Sequence, residues 1–194
     1  MRAWLRRRGD GENPLPRATL PALATRAIVA ARRAREDPAD RAWVMTILTP
    51  PELALWNEQP EYDRRHAVRV AKRVERRLAR TRYGGDTRWL SAALMHDVGK
   101  IRSDLSLLER VVATLASKFV GVATARRWAR SAAGRKRRIG LYLIHAEIGA
   151  ELIRAAGGRD EVAAWAEAHQ GDRDFAGAGI PSPVVEALVG SDEG

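Results

Sequence analysis

Cysteine is missing from all 194 residues. Disulfides and thiolate metal sites are thereby excluded, and any metal must be held by nitrogen and oxygen donors. Histidine is scarce, with four in the chain: His66, His96, His145 and His169. Aromatic residues make up 6% of the sequence, and no stretch shows the strict alternation of a half-buried strand. Long apolar runs are lacking too. The stretch after Arg6, Arg7 and Arg8 is broken by Pro21 and Arg26 and is too short to span a bilayer. Neither a signal peptide nor a transmembrane helix is expected, and the reading is a cytoplasmic protein.

What remains is rich in Ala, Leu, Arg and Glu, which favours helices. The length suits one domain, so an all-α bundle is expected over residues 61–194, preceded by a helical or irregular N-terminal extension over residues 1–60. In the extension, Pro14, Pro16 and Pro21 keep the start irregular, and Leu23 to Arg35 can form a basic helix. Thr49-Pro50-Pro51-Glu52 marks another helix start. The main array runs from Tyr62, punctuated by Gly84-Gly85, Gly134, Gly157-Gly158 and the stretch from Gly177 to Pro183.

The net charge of +10 favours anionic partners. It is carried by arginine, with only four lysines: Lys72, Lys100, Lys118 and Lys136. Charge is densest in the helical stretch between Ser103 and Gly140, at Arg126, Arg127, Arg130, Arg135, Lys136, Arg137 and Arg138. Nucleic acid or a membrane surface could bind there, but Trp128 is the sole interleaved aromatic and no nucleic-acid motif accompanies it, so a solvated face is the preferred reading.

The informative pattern is polar residues within apolar stripes. Leu90, Ala93, Leu94, Val98 and Ile101 follow helical spacing, and Asp97 falls on their stripe with His96 beside it. Leu141, Ile144, Ile148 and Leu152 define a stripe containing His145. Val162, Trp165 and Ala166 lead to His169, and Val185, Leu188 and Val189 lead to Asp192. His66 shares a side with Val70 and Val74. One inward histidine or Asp is an ordinary core residue with a hydrogen-bond partner. Two inward carboxylates need compensation, and no Arg or Lys stands at the centre of these stripes to provide it. One or two divalent metal ions would (Mn, Fe, Zn, Co, Ni or Mg), and imidazole with carboxylate from several helices is a suitable donor set. Such cations would acidify a water and neutralise phosphoryl oxygens.

Leu94-Met95-His96-Asp97-Val98-Gly99-Lys100-Ile101, with a helical His upstream and further His and Asp downstream, resembles the signature of the HD superfamily of metal-dependent phosphohydrolases. The resemblance covers about Tyr62 to Asp192 and makes the expected bundle HD-domain-like. It implies His66, His96, Asp97 and Asp192 as ligands of one metal, with His145 and His169 holding a second that Asp97 bridges. It also implies Asp97 and Lys100 as catalytic residues, Lys100 contacting substrate phosphate. Asp172 and Asp174 are alternatives for the late acidic ligand; Asp192 is preferred because its stripe turns it inward.

Gln170 stands where cyclic-dinucleotide phosphodiesterases of the HD-GYP type carry a second His, and Gly179-Ile180-Pro181 where they carry Gly-Tyr-Pro. The expected substrate is a nucleotide or other small anionic phosphate ester. Two other functions compete: a di-iron oxygenase built on the same ligands, and a non-catalytic helical module that binds an anionic partner through residues 126–138.

Overall fold

The computed structural model describes residues 35–117, 119–130, 133–170, 175 and 179–192. The basic helix expected from Leu23 lies outside these, except for Arg35, which is not helical; Asp172 and Asp174 also lie outside them. Among the described residues there are ten α-helices, one 3-10 helix and no strand, so the protein is all-α.

The first two helices, α1 (Pro38–Met45) and α2 (Pro50–Glu58), begin where proline occupies the first turn. Asp37 caps α1 by accepting from the Ala39 amide. Glu52 in the first turn of α2 accepts from the Thr49 amide at 2.9 Å. Its carboxylate is fully buried and paired with Arg159, which donates from Nη2 at 2.7 Å and from Nε at 3.0 Å. Val44, Ile47, Leu48, Leu55 and Trp56 belong to the same apolar core as the later helices.

The 18-residue α3 (Glu61–Leu78) places Glu61 and Asp63 in its first turn and Arg76 and Arg77 in its last, in keeping with the helix dipole. It buries Ala67, Val68, Val70, Ala71, Val74 and Leu78 against α4 (Thr87–Met95), which is capped by Asp86 and buried from Trp89 onward. There the observed geometry corrects the sequence reading. The helix does not continue through Asp97 to Ile101; it stops at Met95, and Val98–Arg102 is a 3-10 helix.

The stretch between Ser103 and Gly140 resolves into α5 (Leu107–Ser117), α6 (Val122–Ala129) and most of α7 (Gly134–Leu143). A break at Ile144 separates α7 from α8 (His145–Ala155). The stripe assigned to Leu141, Ile144, Ile148 and Leu152 is only half-buried, and the buried face is His145, Ala146, Gly149, Ala150 and Ile153. Small residues are needed on it because the 3-10 helix lies directly against it: a Cβ on Gly99 would meet the His145 carbonyl oxygen at 1.9 Å. The array closes with α9 (Asp160–Ala168), packed on α8 and α4, and α10 (Ser182–Asp192), packed on α3.

The basic stretch is laced with ion pairs inside the chain. Arg126 pairs with Glu147, and Arg135 and Arg138 with Glu109, while Lys136 lies 5.3 Å over the Trp128 ring. No helix among the described residues is long and apolar enough to cross a membrane.

Candidate metal centre

Each of the three inner histidines stands at a helix end, and all use the same local device. His96 and His169 are the C-caps of α4 and α9, where carbonyls lack intrahelical donors; His145 opens α8 after the break. His96 Nδ1 donates to the Ala93 carbonyl at 2.8 Å, His145 Nδ1 to Tyr142 at 2.7 Å and His169 Nδ1 to Ala166 at 2.7 Å. A carbonyl can only accept, so Nδ1 carries a proton in each, and the ring is held with Nε2 turned toward the centre.

Those Nε2 atoms face carboxylate oxygens. Asp97 Oδ1 lies 3.1 Å from His145 Nε2 and 3.7 Å from His169 Nε2, whereas Asp97 Oδ2 lies 3.4 Å from His96 Nε2. Asp192 Oδ1 lies 3.4 Å from both His66 Nε2 and His96 Nε2. The ligand-type atoms form two groups, His66, His96 and Asp192, and Asp97, His145 and His169, each within 4.8 Å. All six residues singled out by stripe or resemblance therefore converge, and Asp97 touches both groups.

His96 and His145 are buried, and the Nε2 of each lacks a hydrogen-bond partner. Their titration differs. Burial opposes charge on His96, but the Asp97 and Asp192 carboxylates outweigh it and raise its pKa to about 10. For His145, burial, assisted by the Lys100 and His169 charges, outweighs the pull of Asp97 and lowers the pKa to about 4. A neutral His145 then aims an unprotonated nitrogen at a carboxylate oxygen 3.1 Å away. Two acceptors at that distance repel unless a proton or a cation lies between them, and buried Nε2 atoms with a shared carboxylate fit a divalent ion of the nitrogen-and-oxygen-loving kind.

Burial by itself would raise the pKa of Asp97, but Lys100 and the histidines hold its carboxyl well below the usual range. Lys100 Nζ lies 2.5 Å from Asp97 Oδ2, and that carboxylate raises the lysine pKa against its burial. Asp192 is likewise held below its usual range: the His66 and His96 imidazoles beside it overcome its desolvation. Its helix end is tied down by α3, where Arg73 Nη1 donates to the Ser191 carbonyl at 2.8 Å and Arg77 Nη2 to that of Gly190 at 2.9 Å. Asp192 thus has an anchor that the stripe Val185, Leu188 and Val189 did not reveal.

A cavity of about 260 Å³ opens over five of the six, all but His96, and it is also lined by Lys100, Thr114, Tyr142 and Gln170. Beside it lies Arg110, the polar residue that the sequence reading missed. It is buried in α5, bonded through Nη1 to both oxygens of Asp63 (3.0 and 2.7 Å) and through Nε to the Leu105 carbonyl at 3.1 Å. Its guanidinium lies 5.1 Å from the Tyr62 ring centre and 5.9 Å from that of Tyr142. The available signal was a lone cation inside the apolar run Leu107-Leu108-Glu109-Arg110-Val111-Val112.

Among protein families, the one described as HD domain matches the chain over residues 64–187. No curated protein and no solved structure matches it.

Proposed function

The chain belongs to the HD domain family, and from that premise we propose that it is a metal-dependent phosphohydrolase acting on a nucleotide or other small phosphate ester. The observation that carries this reading is the buried Nε2 of His145, neutral and partnerless, 3.1 Å from Asp97 Oδ1.

Residues His66, His96 and Asp192 would hold one divalent ion, and His145 and His169 a second, with Asp97 serving both. Bound ions supply an acidified water and positive charge for phosphoryl oxygens. The chain contributes the rest. The three Nδ1 bonds lock ring orientation and tautomer, so the donor set is preorganised. Lys100, lining the same cavity, offers an ammonium with two further protons to donate after its bond to Asp97, and would steady a non-bridging phosphate oxygen. Tyr142 and Thr114 supply hydroxyls to the same space.

Purified protein assayed for bound metal and screened against nucleotides and phosphate esters with Mn, Fe, Zn, Co, Ni or Mg tests the reading. Phosphate ester cleavage should require the metal, and Asp97→Ala should lose both metal and turnover. Retained turnover in that variant, or oxygen consumption by an iron form without ester cleavage, overturns the proposal.

A further inference from the structure

The cavity over the centre shares lining residues with two further cavities, and the three form a longer groove. On one side it shares His66, Asp97, Lys100, Thr114 and Tyr142 with a cavity of about 450 Å³. On the other it shares Ser117, Leu143 and Gln170 with a cavity of about 420 Å³. Each flanking space is large enough for a ring-sized organic group. A monoester has one such group and would leave one side unused.

The two arms differ in chemistry. The first is lined by the apolar Val111 and Leu115, by Tyr62 and Tyr142, and by Arg69. Among the described residues no carboxylate is paired with Arg69; its charge is opposed by partial burial and by Arg65 and Arg73. This arm suits a planar ring with a nearby anionic substituent. The second has Val120, Val122 and Ala125 with the Arg126–Glu147 pair and Glu167, a surface without a free cation that suits an apolar or hydrogen-bonding group. Val111, Leu115 and Val122 are 41%, 58% and 52% exposed, apolar surface that a seated ligand would cover.

We infer that the substrate carries an organic group on each side of the scissile phosphorus, as a phosphodiester or a doubly substituted phosphoanhydride, with one group in each arm of the groove. The inference rests on the phosphohydrolase reading. For a diester, one water is consumed: its oxygen bonds to phosphorus, the ester P–O bond on one side breaks, and the departing oxygen takes a proton. A phosphomonoester and an alcohol result.

The test compares bis(p-nitrophenyl) phosphate with methyl p-nitrophenyl phosphate, which have equal charge and the same leaving group but fill two arms or one. With the metal-loaded full chain, kcat/KM should favour the two-ring ester at least fivefold. Leu115→Ser and Val122→Ser should each cut that preference by threefold or more. Val112→Ser, which changes an exposed apolar residue outside the groove, should leave the preference alone. A preference below fivefold, or one that only a single arm variant alters, overturns the inference. If neither ester is cleaved although nucleotides or phosphomonoesters are, the inference fails and the phosphohydrolase reading stands; if no phosphate ester is cleaved with any metal, that reading fails, and calorimetric titration of the Mn-loaded protein with the two esters decides the arms separately. Tighter binding of the two-ring ester, weakened by both arm variants, upholds them; equal or absent binding overturns them.

Discussion

The α-carbon of Gly99 faces the carbonyl oxygen of His145 so closely that a methyl group placed on it would sit 1.9 Å from that oxygen and 2.6 Å from the Gly149 nitrogen. The contact joins the 3-10 helix that follows Asp97 to the helix that begins with His145. It sets the spacing between a carboxylate and an imidazole on segments 48 residues apart in the sequence. Both neighbouring atoms are backbone, so neither can rotate out of the way.

Gly99→Ala is therefore expected to force the two segments apart. Overpacking against backbone costs about 1–3 kcal/mol, so thermal unfolding should shift down by roughly 2–12 °C for a chain of this size. The variant should also bind Mn more weakly by calorimetry, because Asp97 Oδ1 and His145 Nε2 separate. Unchanged melting would show that the approach is not tight.

Arg73 and Arg77 satisfy the last carbonyls of α10, immediately before Asp192. Replacing Arg73 with Ala should leave most of the core intact but free the end that carries Asp192. The affinity of the group His66, His96 and Asp192 for a divalent ion should fall by roughly tenfold, in the range seen for groups that orient metal ligands. Arg73→Lys, which keeps a donor, should recover part of it. Equal affinities in the Ala variant and the parent protein would remove Arg73 from this role.

Glu52 and Arg159 form a buried pair remote from the groove. Burial raises the Glu52 pKa, but hydrogen bonds from Arg159 and the Thr49 amide more than reverse this and leave it lowered. A carboxyl with a depressed folded-state pKa contributes stability that is complete above its unfolded value, about 4.5 here, and disappears as pH falls through the lower folded value. Removing one partner of a fully buried pair costs about 3–5 kcal/mol, and Arg159, whose side chain is 21% exposed, keeps some contact with water, so the cost here is smaller. Glu52→Ala should accordingly lower urea stability at pH 7, and its stability should change less than that of the parent between pH 5 and pH 3. Parallel pH curves for the two proteins would refute this account.

Lys100→Gln separates phosphate contact from metal holding. Metal content should stay near that of the parent, since the six donors are untouched. Turnover should fall by about 10²-fold, the scale of losing one charge-stabilising donor, and KM should rise. Loss of metal with unchanged turnover per bound ion would instead make Lys100 a support for Asp97 alone.

Helical phase identified which side of each segment faces inward, and this was enough to select Asp97, His145, His169 and Asp192. It failed on the elements themselves. The α4 helix ends at Met95, so His96 reaches the centre as a cap bonded to Ala93, and Asp97 turns inward from the corner that follows. On α8 the large aliphatic residues Leu141, Ile144, Ile148 and Leu152 suggested a buried stripe, yet the buried positions are mostly small, because backbone packs on backbone there. Size, and not hydrophobicity alone, decided which face could approach the 3-10 helix.

From sequence alone came the all-α class, the exclusion of thiolate ligands and the set of His and Asp residues directed to one interior. These follow from residue type and from periods of three and four, which act within a single helix. The tertiary arrangement alone decided that Asp97 presents one oxygen to His96 and the other to His145 and His169, that Arg73 secures the end of α10, and that the groove continues on both sides of the centre. Each depends on how helices distant in the sequence meet, and no local period encodes the distance between two backbones.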